Sequence, residues 1–341
     1  MLASQSLWVV SLIGITALAV LVLSANEAVK KLVGIASYFH LSSTFMGMTV
    51  VSVATSIPEI TSHITASVNI LTGNLEYETG SAIVLGSNIG SDVVQQTLIM
   101  GLVVLLAGTM YFRRYMLWKS MLPMIAASAI CLALGLDGGY SRLDGVILIT
   151  AFIAYSYYLY VDERKHYRKE DNLHEDEKVA DSVPKSVKEV IGDSLISLLL
   201  IGFTVAAATV VLELTELLVN RTGIGGSLIG VITLGVASAL PELTTAIAGI
   251  GNKEQGVSLG TLVGSNITNP LLAVGSGAVV STYWAPRPLL AWDLPWAIVT
   301  GGILWAILWF NGGKLTKGHA IYLIAIYFVY IFARAFFFSV D

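Results

Sequence analysis

Cysteine, histidine and charge are all scarce in this chain. The single cysteine, Cys131, excludes an internal disulfide and a cysteine metal cluster, and reads as a small buried apolar residue. Only 12% of the 341 residues are charged, against 55% hydrophobic, and mean hydropathy is +0.77. Such a composition belongs in a bilayer, not in water. A net charge of −4 offers no basic surface for nucleic acid. Neither His-Glu-x-x-His nor paired cysteines occur, so an intramembrane enzyme would lack its metal constellation. The first apolar stretch has no basic residue ahead of it and runs into Asn26 and Glu27, so it reads as a retained helix and not a leader.

What the chain does have is many separated apolar runs, several near the roughly 18 residues that span a hydrocarbon core. Hydropathy, broken by Gly, Pro and charge, predicts an all-α membrane protein with ten transmembrane helices near 5–25, 44–72, 79–108, 116–136, 143–162, 190–219, 224–250, 256–282, 290–311 and 318–338. The expected division is a first five-helix repeat at 1–162, a solvated cytoplasmic connector at 163–189 and a second repeat at 190–341. With the connector inside, alternating crossings put fifteen basic residues on the cytoplasmic side: Lys30, Lys31, Arg113, Arg114, Lys119, seven of the connector, Lys253, Lys314 and Lys317. Four remain outside: Arg142, Arg221, Arg287 and Arg334. That bias favours outward termini in a multi-pass protein of the cell membrane. An odd number of helices per half then inverts the second half relative to the first.

The halves resemble each other. Ala54-Thr55-Ser56-Ile57-Pro58-Glu59-Ile60-Thr61 faces Ala237-Ser238-Ala239-Leu240-Pro241-Glu242-Leu243-Thr244 at an offset of 183, and Gly86-Ser87-Asn88-Ile89 faces Gly264-Ser265-Asn266-Ile267 at 178. Inverted repeats with polar, interrupted helices at matching places point to a secondary transporter whose site lies near the bilayer midplane.

Glu59 and Glu242 lie deep in apolar helices, where a charge costs roughly 2.5–3.5 kcal/mol even on the lenient insertion scale. No Lys or Arg stands near either in sequence. Two adjacent carboxylates without a basic partner attract a divalent cation or keep a proton. Each follows a proline, which removes a backbone donor and frees carbonyls within Ser52 to Thr55 and Gly235 to Ser238. Carboxylates, carbonyls and hydroxyls suit calcium, and imidazole or thiolate ligands for zinc or copper are missing from the paired motifs. Ser87 and Ser265, with Ser91 and Asn269 one turn later, are further candidate ligands. Some polar residues break the twofold pattern: Asp92 faces Pro270, Gln95 and Gln96 occur in the first repeat alone, and His63 follows Glu59 by one turn. Asp92 is open to reading as proton acceptor, cation ligand or paired structural acid. For His63 a hydrogen-bonded structural role outweighs a proton relay. Glu27 and Glu216 correspond in the two halves and read as water-facing residues near helix ends.

With both Pro-Glu motifs and both Gly-Ser-Asn-Ile motifs in place, the chain resembles the calcium:cation antiporter superfamily, in particular its sodium/calcium exchanger branch. The resemblance covers both halves and ten helices. It implies that Glu59 and Glu242 are the central calcium ligands, aided by Thr55, Ser56, Ser238, Ser87 and Ser265, with carbonyls from Ser52 and Gly235, and that sodium shares these oxygens. It also implies that the first and sixth helices slide as a pair against the other eight. Ala239 lacks the expected hydroxyl, and Ser91 stands where the family commonly has Asn. Asn269 replaces an acid found in potassium-dependent members, which disfavours potassium coupling. The expected function is antiport of Ca2+ against Na+ by a monomer in the lipid bilayer, with no prosthetic group. A Ca2+/H+ antiporter using the same glutamates is the alternative, and a passive cation channel a remoter one.

Overall fold

The computed structural model describes residues 7–38, 47–112, 114, 117–166, 183–251 and 255–341. These form helices α1 (Leu7–Tyr38), α2 (47–71), α3 (Tyr77–Ala107), α4 (Leu117–Gly135), α5 (Arg142–His166), α6 (Val187–Thr222), α7 (226–251), α8 (255–281), α9 (Leu289–Phe310) and α10 (Lys317–Phe337). Seven of the described helices, α3 to α7 with α9 and α10, are long and apolar enough to cross a membrane. Large apolar side chains such as Leu198, Leu199 and Phe203 on α6 and Phe328, Phe332 and Phe336 on α10 are exposed, as a lipid-facing surface requires. Most of the connector, with its acidic residues 170, 171 and 175–177, lies outside the described residues, as do Arg113 and Lys253.

α1 and α6 exceed the lengths that hydropathy predicted by the most, and α5 also runs on to His166. α1 runs to Tyr38 and α6 begins at Val187, because each continues past its apolar stretch. The two pack along each other, joined by Ser24 Oγ to Thr204 Oγ1 at 2.9 Å and by Lys31 to Asp193 at 2.7 Å. Ser186 caps α6 by accepting from Glu189 N. Gly223 ends it in the left-handed conformation, φ +68°. Glu27 is exposed as expected, but it sits well inside α1, paired with Lys30 at 2.5 Å. The Glu216 side chain lies outside the described residues.

α2, α3, α7 and α8 make the core. Their packing is backbone on backbone. A Cβ on Gly86 of α3 would meet Ser227 O of α7 at 2.2 Å, one on Gly230 of α7 would meet Ile83 O of α3 at 2.3 Å, and one on Gly264 of α8 would meet Met48 O of α2 at 2.8 Å. Small residues permit this approach, and within a bilayer close packing is a main force holding helices together. Residues 80–94 of α3 are all buried in consequence.

Wide, π-type turns occur in similar parts of the two halves, 47–51 with 231–235, 95–99 with 269–273 and 117–121 with 289–293, the second pair being displaced by about one turn. Short strands also pair across the halves. β1 (Thr109–Tyr111), after α3, lies antiparallel to β4 (Lys314–Thr316), before α10; β2 (Gly139–Tyr140), before α5, lies antiparallel to β3 (Tyr283–Trp284), after α8. α4 separates β1 from β2, and α9 separates β3 from β4, so the two ribbons mark opposite ends of the bundle.

Arg334, expected among the outer loop charges, is instead completely buried. Its Nε donates to Asp293 Oδ1 and Oδ2 at 3.0 and 3.1 Å, and Tyr330 Oη donates to the same carboxylate at 2.8 Å. Arg334 Nη2 reaches Ser227 Oγ, and Ser227 N donates to Asp341 Oδ2 at 2.9 Å. This network ties the start of α7 to α9, α10 and the segment after it.

Arg334→Met leaves Asp293 buried without its cation and is expected to cost about 3–5 kcal/mol, while a Met and Leu double replacement of Arg334 and Asp293 costs much less; unfolding in mixed micelles measures both. Gly86→Ala or Gly230→Ala is expected to lower stability by about 1–3 kcal/mol or more through overpacking. Gly192→Ala, where a Cβ meets nothing within 4 Å, serves as the neutral control in the same measurement.

Candidate functional site

The two Pro-Glu motifs interrupt their helices in the same way. α2 breaks at Ser56 (φ −81°, ψ 7°) and resumes at Ile57–Leu71; α7 breaks at Ala239 (φ −79°, ψ −4°) and resumes at Leu240–Gly251. Pro58 and Pro241 sit in the first turn of the resumed segments, where a missing N–H costs nothing. Glu59 and Glu242 share that first turn, so each carboxylate lies at a helix N-terminus, the end that carries partial positive charge. The break thus gives each acid local support that an unbroken helix would not.

Both carboxylates are sealed from the surface, Glu59 at 2% exposure and Glu242 at 0%, and they are close enough to repel each other. Ser91 Oγ donates to Glu59 Oε1 at 3.0 Å. Glu59 Oε2 and both oxygens of Glu242 have no hydrogen-bond partner among the described residues, and neither acid pairs there with Lys or Arg. Hydroxyls approach them crosswise. Ser238 of α7 lies beside Glu59 of α2, while its counterpart Thr55 of α2 lies beside Glu242 of α7 together with Ser265 of α8. Thr55 Oγ1 and Ser265 Oγ are 3.2 Å apart, as are Ser52 Oγ and Thr268 Oγ1. α2, α3, α7 and α8 therefore converge on one buried polar centre.

The remaining candidates fall on this centre in different ways. Ser56 Oγ is buried and unpartnered, and Ser87 is buried on α3 one turn before Ser91. Asn269 Nδ2 donates to Asp92 Oδ1 at 2.9 Å, which leaves Asn269 Oδ1 and Asp92 Oδ2 unpartnered. Asp92 is within electrostatic range of Glu59. Gly235 O accepts the Ser238 hydroxyl at 3.4 Å. The Ser52 carbonyl, expected to be freed, accepts Ser56 N at 3.0 Å and Thr55 Oγ1 at 3.2 Å, so its lone pairs are engaged in this conformation. Among the described residues no three His, Cys, Asp or Glu side chains form a cluster able to hold a metal by themselves. Any cation held here needs hydroxyl, amide or carbonyl oxygens as well, which suits a hard ion.

His63 is locked by Tyr283. Tyr283 Oη donates to His63 O at 3.0 Å, and His63 Nδ1 and Ser67 Oγ lie 3.0 and 2.8 Å from the same hydroxyl. Tyr283 follows Thr282, whose φ of +65° turns the chain sharply into β3. The chain also contains one stretch that matches Gly-x-Ser-x-Gly, Gly256 to Gly260. Ser258 there is fully buried and donates to Ala246 O at 2.7 Å, so it tethers α8 to α7 and is not poised as a nucleophile.

In the sequence Gln95 and Gln96 stand out only as departures from the twofold pattern. Both are buried, and they bracket Asn266: Asn266 Nδ2 donates to Gln95 Oε1 at 3.0 Å, and Gln96 Nε2 donates to Asn266 Oδ1 at 2.8 Å. Gln95 Nε2 donates in turn to Ser91 Oγ at 3.1 Å, and Thr300 Oγ1 donates to Gln96 Oε1 at 3.0 Å. The signal for them was available: two adjacent amides at positions where the mirrored half has Ala273 and Val274.

The chain is similar to the inner membrane protein YrbG of Escherichia coli (strain K12), 26% identical over 267 residues that cover 78% of each chain. It is 23% identical to the sodium/calcium exchanger MaX1 of Methanosarcina acetivorans, covering 93% of this chain and 98% of that one. Among solved structures, the sodium-calcium exchanger NCX_Mj soaked with 2.5 mM Na+ and 0.1 mM Sr2+ superposes with a TM-score of 0.63 at 20% identity, over 94% of this chain and 96% of that one, a likeness of fold. The profile described as sodium/calcium exchanger protein matches residues 9–161 and 194–336, nearly the whole of both halves. With the two Pro-Glu helices meeting at one buried centre, that match makes the chain a member of the sodium/calcium exchanger protein family.

Proposed function

We propose that the chain exchanges calcium for sodium across the cell membrane by alternating access. Glu59 and Glu242 are the central ligands. The observation that carries this reading is their pairing in a buried core with three of four carboxylate oxygens unpartnered and no Lys or Arg at hand among the described residues. Uncompensated carboxylates in such surroundings are too costly to persist without an ion or protons. Thr55, Ser56, Ser238, Ser87, Ser265, Ser91 and Asn269 supply further oxygens, together with the Gly235 carbonyl; the Ser52 carbonyl, held by Ser56 N and the Thr55 hydroxyl, joins them only if those bonds give way. Calcium takes six to eight oxygens at roughly 2.3–2.6 Å, a number that two carboxylates alone cannot reach.

Ten crossings in two inverted halves, 1–162 and 190–341, frame this site. The strand ribbons support that topology: β1 with β4 and β2 with β3 each join loops that alternating crossings place on one side. α1 and α6, packed on each other, are the pair that slides past the core to open the site to either side. Calcium and sodium compete for the same carboxylates, and this competition couples the fluxes without covalent chemistry. Sodium is favoured as counter-ion because MaX1 and NCX_Mj are both named as sodium/calcium exchangers. Exchange against protons is the second reading, favoured by two buried titratable atoms without partners among the described residues, Asp92 Oδ2 and His63 Nε2.

Glu59→Gln or Glu242→Gln is expected to reduce calcium exchange in proteoliposomes by on the order of 100-fold or more, since truncating a desolvated charge contact costs about 3 kcal/mol. Near-normal exchange in either variant overturns the site. For the counter-ion, a sodium gradient imposed without a pH gradient is expected to drive calcium uptake, and a pH gradient alone is not. The reverse outcome transfers the assignment to Ca2+/H+ antiport, and uptake without either gradient points to a channel.

A further inference from the structure

The two glutamates are equivalent in the repeat but not in their bonding. On the first-repeat side a directed chain runs from α8 to α2: Asn266 Nδ2 donates to Gln95 Oε1 (3.0 Å), Gln95 Nε2 to Ser91 Oγ (3.1 Å), and Ser91 Oγ to Glu59 Oε1 (3.0 Å). Asn266 is fixed at the head of the chain because its other amide hydrogen goes to Leu262 O (2.7 Å) and its Oδ1 accepts from Gln96 (2.8 Å), itself held by Thr300 (3.0 Å). Every member of the chain is buried. The direction matters. Gln95 occupies one lone pair of Ser91 as a donor, which commits the single serine proton to Glu59.

The mirrored half has no such chain. Ala273 and Val274 stand in the places of Gln95 and Gln96, Asn88 (the counterpart of Asn266) has both polar atoms unpartnered, and neither oxygen of Glu242 accepts a hydrogen bond among the described residues. From this asymmetry we infer that Gln95 is a positioning residue for ion selection: it holds Glu59 as a one-oxygen ligand and leaves Glu242 as the carboxylate that adapts. Glu59 presents Oε2 to the ion ahead of Oε1, because Ser91 occupies one lone pair of Oε1 and fixes its direction. Neither oxygen of Glu242 is tied in this way: Thr55 and Ser265 lie beside it, but neither hydroxyl meets hydrogen-bond geometry, which leaves it able to bind through one oxygen or two. A site with one fixed and one adaptable carboxylate sets the number of oxygens around the ion, and coordination number is what separates one alkaline-earth ion from another. This inference rests on the reading of Glu59 as an ion ligand.

The test uses the full chain in proteoliposomes, with Ca2+ and Sr2+ as the transported probes under a sodium gradient. Gln95→Met keeps the side chain's length but cannot donate to Ser91. It is expected to raise the calcium KM about tenfold with little change in maximal rate, the scale of a lost hydrogen bond within a charged network. Release of Glu59 to two-oxygen binding is expected to move the ratio of Sr2+ to Ca2+ KM in favour of the larger ion. Ser91→Ala, which also removes an oxygen from the centre, is expected to shift the calcium KM and the ion preference in the same direction and at least as far, and the Gln95→Met, Ser91→Ala double variant no further than Ser91→Ala alone, because both cut one chain. Additive effects in the double variant, or a lower melting temperature with unchanged KM and unchanged ion preference, overturn the inference and leave Gln95 a packing residue. Glu59→Gln separates the two levels of failure. If that variant exchanges normally, the ligand reading falls and the chain with it; if it is inactive while Gln95→Met matches the parent, only the chain falls.

Discussion

Two carboxylates are held together where no Lys or Arg of the described residues neutralises them, and the architecture follows from that constraint. Left in apolar surroundings they would repel each other and lose their hydration, each effect worth several kcal/mol. The chain offsets part of this with local means. Each acid starts a resumed helix after a proline break, each has a hydroxyl from the opposite half beside it, and one of them accepts a serine proton. None of these supplies a full positive charge. On the reading proposed above, that deficit makes the centre a place for a mobile ion, which a Lys or Arg in reach would remove.

The means of bringing the acids together are backbone contacts. Gly86 and Gly230 let α3 and α7 touch without side chains between them, and Gly264 does the same for α8 against α2. Each contact joins a helix of one half to a helix of the other, so neither half can assemble its glutamate site alone. Interdigitation of this kind explains why hydroxyls meet acids crosswise: Thr55 follows its own helix toward Glu242, and Ser238 follows its own toward Glu59. The wide turns at 47–51 and 231–235 precede both breaks and re-aim the segments that carry these hydroxyls.

The repeated motifs made the centre legible before any fold was seen, because Pro-Glu and Gly-Ser-Asn-Ile recur in order and their cost in a membrane demands a reason. Helix lengths were less legible. Hydropathy reports how much of a helix is apolar, whereas α1 and α6 extend beyond that length on the strength of mutual packing, the Lys31–Asp193 pair and the Ser186 cap. Arg334 was misplaced for a related reason. A charge near a helix end reads as a loop charge unless its partner is known, and Asp293 lies 41 positions away. The Ser52 carbonyl shows a different limit. A proline removes one donor, but the freed geometry is recaptured by Ser56 N and the Thr55 hydroxyl, a local rearrangement that no spacing rule contains. Gln95 and Gln96 were visible as departures from symmetry, yet their task depended on Asn266 lying opposite, which only the packing of α3 on α8 determines.

Symmetry in backbone with asymmetry in bonding has a mechanical consequence. A site that must open to both sides by similar motions is well served by two similar halves, since the same hinge and the same glycine contacts serve each direction. A site that must tell ions apart gains from unlike ligands, since one rigid and one adaptable carboxylate can meet ions of different size at different cost. The polar links Ser24–Thr204 and Lys31–Asp193 join α1 to α6, so that the pair can move as one unit against the core without unmaking them. On the exchange mechanism proposed above, selectivity resides in the four inner helices, where Gln95, Ser91 and Asn266 fix one side of the centre, and access resides in the outer pair. The separation lets one set of helices change position while the other keeps its hydrogen bonds, which is the condition for an ion to be exposed alternately without its site being rebuilt at each turn.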